Sequence, residues 1–350
     1  MASLPLQQAP ASLCLLRLSA IGDVTHMLPI IATLQQNWPD TKITWIIGKS
    51  EYQLVKSIAG IEFILFDKGN GLAEYAALRR RLNRRRFDVL LMMQVALRAS
   101  LISLLIRADI KIGYDQRRSR DFQRLFCNRQ INGPDRVHVL DTFFQFLEIL
   151  GLAQRRMDWL LEAGPDEREF ASKQIAHQQT VIINPCSSAR ANNWRNWSQA
   201  SYAEVIDNLM QRGIKVILTG GPVDTEKLFA EGVTGQCRQK PIDLTGQTSL
   251  LQLLALLEQA VCLVSPDTGP AHMATVAGIP VIGLYASSNP LRSGPYNSQS
   301  MVVNAYPAAL QKYRQKSVDQ ASWGERVRNP RVMQMISVED VVLKINQCLV

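Results

Sequence analysis

Short apolar runs alternate with amphipathic stretches along this chain, and the alternation predicts strand–helix units throughout. Leu13–Leu18, Ile43–Ile47, Ile61–Phe66 and Val89–Met93 have strand length and are mostly apolar, as buried parallel strands are. Helices are expected between them at about Val24–Gln36 (stopping before Pro39), Tyr52–Ser57 and Glu74–Arg85. Arg98–Ile106 and Asp141–Leu150 have helical spacing, and Lys111–Gly113 reads as a short strand. Ala163-Gly164-Pro165-Asp166 is the most linker-like stretch, and beyond it the pattern restarts. Val181–Asn184, Lys215–Leu218, Val261–Val264 and Val281–Tyr285 are the strands of this second half. Its helices are expected from Ser198 or Ser201 to about Arg212, then at Asp224–Glu231 and Ser249–Gln259, with a last amphipathic one at Ser337–Cys348. A βαβα series of this kind predicts an α/β protein of two successive Rossmann-like halves with a cleft between them. The length, 350 residues, also suits two domains better than one.

The stretch SPDTGPAHMATVAGIPVIGLY (Ser265–Tyr285) is the best-defined strand–turn–helix–strand unit. Thr268 is a good N-cap, and Pro270 falls where its missing N–H costs nothing. Gly278 and Pro280 stop the helix. The positive end of the helix dipole then meets free N–H groups at one spot, and Gly269 removes a side chain from it, so a diphosphate would fit. An ordinary βαβ turn with a well-made cap accounts for the same residues.

Other polar clusters carry similar pairs of readings. Gly22-Asp23 follows the first strand, where open α/β sheets bind ligands, and Asp23 is either a proton acceptor or a helix cap. Asn184-Pro185-Cys186-Ser187-Ser188 leads to Trp194-Arg195-Asn196-Trp197, in which Arg195 either grips a diphosphate or packs a loop. Gly220-Gly221-Pro222, with Asp224 and Glu226, suits close backbone approach and ribose contacts, or is a bare turn. Several classes are excluded by what does not occur. There is no G-x-G-x-x-G after a strand, no G-x-x-x-x-G-K-[ST] and no G-x-S-x-G, which argues against dehydrogenases, P-loop NTPases and common hydrolases. Six scattered cysteines without a C-x-x-C pair, and only four histidines, give no zinc pattern and suit reduced thiols.

Charge changes the picture in one half only. Residues 1–160 carry 22 Lys/Arg against 14 Asp/Glu, whereas residues 161–350 carry 17 against 16. Within Arg79–Arg136 there are 15 basic and 5 acidic residues, among them Arg84, Arg85, Arg86, Arg117, Arg118, Arg120 and Arg124. Either these line a solvated face, or they meet an anionic partner such as phospholipid, an acidic acceptor or nucleic acid. No apolar run approaches the roughly 20 residues that span a bilayer. Met1–Ala20 lacks the basic start of a signal peptide.

Taken in order, R-L-S-x-x-G-D-V-x-H-x-L-P (Arg17–Pro29), N-P at Asn184, W-R-N-W, L-T-G-G-P-x-D, L-T-G-x-T (Leu244–Thr248) and D-T-G-P-A-H closely resemble the heptosyltransferase family of lipopolysaccharide core assembly. The resemblance covers about Leu13 to Asn297. It implies a GT-B fold, with an N-terminal acceptor domain (1–163), a C-terminal nucleotide-sugar domain (167–330) and a terminal helix (335–350) packing back on the first domain. It also implies an inverting transfer without metal or cofactor, from ADP-L-glycero-D-manno-heptose to Kdo-lipid A or a heptosylated core. Asp23 would be the base. Ser187, Arg195, Gly220, Gly221, Asp224, Glu226, Asp267, Thr268, Gly269, Pro270 and His272 would bind the donor, with either Asp224 or Glu226 on the ribose. Arg195 departs from the lysine many members carry. Gly22, His26, Arg117, Arg118 and Arg120 would bind the acceptor. The enzyme is then expected in the cytoplasm, peripheral at the anionic inner-membrane surface, without nucleic acid. The alternatives are a GT-B transferase or epimerase using a UDP-sugar, and a non-catalytic binder of anionic surfaces or nucleic acid.

Overall fold

The structure, a computed structural model, describes residues 4–187 and 193–349. The chain divides into two compact units, Met1–Leu161 and Glu162–Val350. In the first, β1 (Ser12–Leu16), β2 (Lys42–Gly48), β3 (Ile61–Phe66), β4 (Phe87–Met92), β5 (Ala108–Gly113) and β6 (Arg129–Gln130) form one sheet in the order β3-β2-β1-β4-β5-β6. In the second, β7 (Thr180–Ile183), β8 (Lys215–Leu218), β9 (Ile242–Asp243), β10 (Cys262–Pro266), β11 (Val281–Tyr285) and β12 (Val303–Asn304) follow the order β12-β11-β10-β7-β8-β9. Every pairing is parallel. Counted from its own first strand, each sheet has the order 3-2-1-4-5-6, which reverses beside the first strand and leaves a ligand crevice there.

The apolar runs become central strands because both of their faces are covered. Leu13–Leu16 are all fully buried. Cys14 and Leu16 join Ile46, Leu90 and Met92 beneath Leu78 and Leu82 of the helix Gly71–Leu82 and Ala99 and Ile102 of the helix Leu97–Leu104. The ladder runs past β1 to the expected end at Leu18, through Arg17 N–H to Ile46 O (3.2 Å) and Gly48 N–H to Leu18 O (3.1 Å). In the second unit, Val181, Val216, Val264 and Ile282 pack on Tyr202, Val205, Ile206 and Leu209 of the helix Gln199–Gln211.

Several expectations needed revision. Pro165 begins a helix, Pro165–Ile175, with Gly164 as its N-cap, so the linker-like tetrapeptide is a helix start. The two-residue strands β6, β9 and β12 were not foreseen, and neither was the helix Tyr306–Arg314. In the last helix, Val338–Asn346, Val341 and Ile345 are buried in the second unit's core, and the helix contacts Gln199–Gln211, β11 and β12.

All six cysteines are free. Burial pushes the Cys14 thiol well up. A hydrogen bond between Cys262 and Cys348, with burial, raises Cys262, while the same bond lowers Cys348. A lower pKa leaves more thiolate, the reactive form, at a given pH. Brief alkylation of the folded protein at about pH 8, read by peptide mass spectrometry, is expected to modify Cys348 first and spare Cys14. Early labelling of Cys14 would contradict its buried place in β1.

Candidate active site

The turn after β1 is built around an ion pair. Asp23 is the third residue of the helix Ile21–Thr25, and its Oδ2 accepts from the Ala20 N–H (3.3 Å), so it reaches back rather than serving as N-cap. The same oxygen pairs with Arg17. Arg17 is buried, donates to Met93 O as well, and lies over the Phe143 ring at 5.2 Å. Both bonds to Asp23 fall on Oδ2, so among the described residues Oδ1 has no protein partner. With its side chain one-third exposed, Asp23 can reach a ligand.

In the second unit, loops at the carboxyl ends of β7, β8, β10 and β11 carry the expected donor residues. At the β10 turn, Thr268 caps the helix Gly269–Val276 through the Ala271 N–H (3.4 Å), and its hydroxyl shares a 2.7 Å hydrogen bond with Ser265 Oγ. Pro270 occupies the first turn as expected, while His272 is buried behind it. Arg195 reaches this turn from the W-R-N-W loop, donating from Nη1 to Asp267 O (2.8 Å) and lying 3.6 Å from the Asp267 carboxylate. Ser288 donates to the same carboxylate at 3.0 Å. Ser187 is tied into that loop through Asn196 Oδ1, which accepts its N–H (2.8 Å), and through Asn193 (2.7 Å). Ser188 lies outside the described residues.

The glycine turn after β8 separates Asp224 from Glu226. Glu226 Oε2 accepts the Gly221 N–H at 2.6 Å, so this carboxylate holds the turn closed. Asp224, in the first turn of the helix Asp224–Gln236, is exposed and makes no ion pair among the described residues. A Cβ on Gly220 would come within 2.9 Å of the Thr245 side chain, which explains the glycine without a ligand.

Near Asp267 lies a group of arginines that the motifs do not include, centred on Arg326. Arg326 interacts electrostatically with Asp267, Arg195, Arg292 and Arg328. Desolvation by adjoining protein lowers its pKa, Asp267 opposes the change, and the other three arginines add to it. Val327, fully buried between Arg326 and Arg328, is tied to Ser287 by N–H to O (2.9 Å) and by the Ser287 hydroxyl to Val327 O (3.0 Å). Only the alternation of Arg326-Val327-Arg328, basic around a buried apolar residue, hints at this in the sequence. Tyr285 at the end of β11 is shifted up by burial and by the Asp267 charge, with Arg195 opposing.

The residues expected to bind the acceptor lie in the first unit. His26 is 2% exposed and sits in an aromatic cluster, edge-on to His138 (5.4 Å between centroids) and near Phe143 and Trp159, so it packs beside the turn after β1. Gly22 is buried beside it, its carbonyl accepting from Thr25 Oγ1 (2.7 Å). Arg118 braces its own loop, bonding Asp115, Gly133 O, Pro134 O (3.0 Å) and Gln145 (2.6 Å). Arg117 pairs with Asp135 at 3.0 Å and holds that carboxyl below its usual range. Arg120 is exposed and makes no ion pair among the described residues. The arginine cluster is likewise partly neutralised, with Arg85 forked onto Glu62 (2.7 and 2.5 Å) and Arg86 paired with Asp109. A concavity of about 520 Å³ at the carboxyl ends of β2 and β3, lined by Lys49, Ser50, Asp67 and Lys68, was not foreseen.

Residues 75–322 match the model of glycosyltransferase family 9 (heptosyltransferase). The chain is 41% identical to the lipopolysaccharide core heptosyltransferase OpsX of Haemophilus influenzae, over 96% of each chain. Among solved structures, it resembles a family 9 glycosyl transferase from Veillonella parvula (TM-score 0.78, 23% identity, 99% of each chain). It also resembles the E. coli heptosyltransferase WaaC with ADP (TM-score 0.72, 20% identity, 96% of this chain and 99% of that one). The fold is therefore GT-B, as expected.

The Arg17–Asp23 pair gives a test that needs no substrate. Breaking a buried pair by removing one partner typically costs about 3–5 kcal/mol, and Asp23's partial exposure brings the expected loss for Arg17→Ala to about 2 kcal/mol. Urea unfolding of the first unit's transition measures it. An unchanged midpoint would mean that the pair does not hold this turn.

Proposed function

This chain belongs to glycosyltransferase family 9, the heptosyltransferases, and on that footing we propose that it transfers heptose from ADP-heptose to the Kdo/heptose inner core of lipopolysaccharide. The second unit would hold the donor and the first the acceptor. The observation that most supports a donor site is Arg195 drawn onto the amino end of the helix Gly269–Val276, with Arg326 near the same carboxylate and Arg292 and Arg328 near Arg326. Gathered about Arg326, four guanidinium groups accompany one aspartate, a surplus of positive charge beside a helix end whose dipole is also positive, which suits a diphosphate. The Nη2 and Nε groups of Arg195 have no partner among the described residues, so they are available to phosphate oxygens. Asp224 is the better candidate for the ribose, because Glu226 is occupied.

In the first unit, Asp23 Oδ1 would accept the proton of the acceptor hydroxyl as its oxygen attacks the anomeric carbon. The bond from that carbon to the β-phosphate oxygen breaks on the opposite face, so the configuration inverts. The arginines and the helix would stabilise the charge that accumulates on the departing ADP. Arg17 would act through Asp23, fixing Oδ2 and thereby the direction of Oδ1. The concavity with Lys49 and Lys68 is a candidate contact for acceptor carboxylates and phosphates. Among the described residues no helix is long and apolar enough to cross a membrane, so reaching a lipid-borne acceptor would require peripheral attachment at the cytoplasmic face of the inner membrane.

Thermal unfolding with ADP, UDP or GDP tests the donor. A ligand at about 100 times its Kd adds roughly 2.7 kcal/mol, and stabilisation is expected with ADP alone. A response to UDP alone would overturn the substrate. Asp23→Asn is expected to lower transfer by about 100-fold or more while leaving ADP binding unchanged, and near-normal turnover would remove Asp23 as base. Arg195→Ala should weaken ADP-sugar binding by about tenfold, the loss of one charge-assisted contact, in a titration of the purified protein.

A further inference from the structure

Large apolar side chains left in water gather on one face of the first unit. On the helix Leu97–Leu104, Leu97 (50% exposed), Leu101 (41%) and Leu104 (62%) are spaced four and three apart, and so share a face. Ala99 and Ile102 on the opposite face are fully buried against the sheet. The helix thus carries apolar side chains on its outer face as well as on its packed one. Beside it, Phe122 and Leu125 are 77% and 81% exposed. This second element is not a loose loop. Gln123, between them, is fully buried, donates to Met92 O (3.1 Å) and Gln94 O (3.0 Å), and accepts from the Tyr114 N–H (3.1 Å). Asp121 accepts the Leu97 N–H at 3.1 Å, which ties the two elements together. A rigid mounting therefore holds Phe122 and Leu125 outward, next to Leu97.

Basic groups outnumber acidic ones at this face. Arg98 on the helix, Arg120 and Arg124 around Phe122, and Arg107 beyond Leu104 are exposed and make no ion pair among the described residues. The acids there are Asp121, engaged with the Leu97 N–H, and Asp109, paired with Arg86. Apolar side chains ringed by unpaired arginines are the combination that lies in a bilayer interface, leucine and phenylalanine below the headgroups and guanidinium groups among the phosphates. We propose that the outer face of Leu97–Leu104, with Phe122 and Leu125, docks the protein on an anionic phospholipid surface. The rim favours this over a second copy of the chain, since two copies apposed there would set arginines against arginines. The proposal deepens the peripheral attachment suggested above and rests on that reading only for the presence of a lipid-borne acceptor.

The test is sedimentation of the full chain with phosphatidylcholine vesicles, with and without phosphatidylglycerol. The unaltered protein is expected to bind the anionic vesicles, less at high salt, and to bind the neutral ones weakly. Leu97→Gln, Leu101→Gln and Leu104→Gln together, and separately Phe122→Ser with Leu125→Ser, should each cut the partition coefficient by about tenfold or more, as expected when several buried methylenes are withdrawn from lipid. The three helix substitutions replace exposed leucines with a good helix former, and an unchanged melting temperature confirms the fold. That variant should still transfer to a delipidated, water-soluble acceptor. Equal vesicle binding by both variants would overturn the proposal, as would a dimer in lipid-free solution that either variant dissociates. Vesicle binding needs neither nucleotide nor acceptor, so failed heptose transfer with intact binding would count against the proposed function alone.

Discussion

In an all-parallel sheet every strand ends on the same edge, and each chain segment leaving that edge must turn and cross back over a face. Both units obey this constraint with the same strand order. It collects onto one edge loops that lie far apart in sequence. Asp23 leaves β1, the lysine-lined concavity opens beyond β2 and β3, and Ser187, Gly220, Asp267 and Ser288 leave β7, β8, β10 and β11. The strands themselves carry little besides apolar side chains, because both faces are covered. Chemistry is confined to the edge where helices start, and the helix dipoles there are positive.

Asp267 shows how such an edge is organised. Its carboxylate sits where an anionic ligand is proposed, an arrangement that would repel the ligand if the aspartate acted alone. It instead fixes its surroundings. Arg195 spans its carbonyl and carboxylate, Ser288 donates to it, and the tether from Ser287 to Val327 sets Arg326 and Arg328 on either side. A nearly buried carboxylate is tolerable only with such partners, and the guanidinium groups left over define the sign of the site. Asp23 and Arg17 are the first unit's smaller version, with one oxygen spent on position and the other left for chemistry.

What could be read in the sequence was local. The D-T-G-P turn, the cap at Thr268 and the acid after β1 follow from residues within a few positions of one another. What could not be read depends on contacts across the fold. Nothing near Arg118 announces that it will bond Gly133 and Gln145, and nothing near His26 announces His138 as its neighbour. Arg17 lay inside a recognised motif without a role, because Met93 and Phe143, which bury it, come from elsewhere in the unit. Gly164-Pro165 misled because the dipeptide that interrupts a chain also starts a helix well. The two-residue strands offered too few positions for any period to show.

Charge counting misled in another way. A surplus of arginine over Arg79–Arg136 suggests a broad basic surface, yet Arg85, Arg86, Arg117 and Arg118 are matched to carboxylates nearby. Paired charges at this range produce little field beyond a Debye length of about 8–10 Å, so the raw excess overstates what an anionic partner would meet. What reaches solvent unmatched is a smaller set that includes Arg98, Arg107, Arg120 and Arg124, placed around exposed leucine and phenylalanine. A merely solvated helix face would show arginine without the apolar side chains. An interface with a second copy of the chain would set these arginines against one another. The coincidence of both on a braced surface is what separates a lipid-facing patch from either.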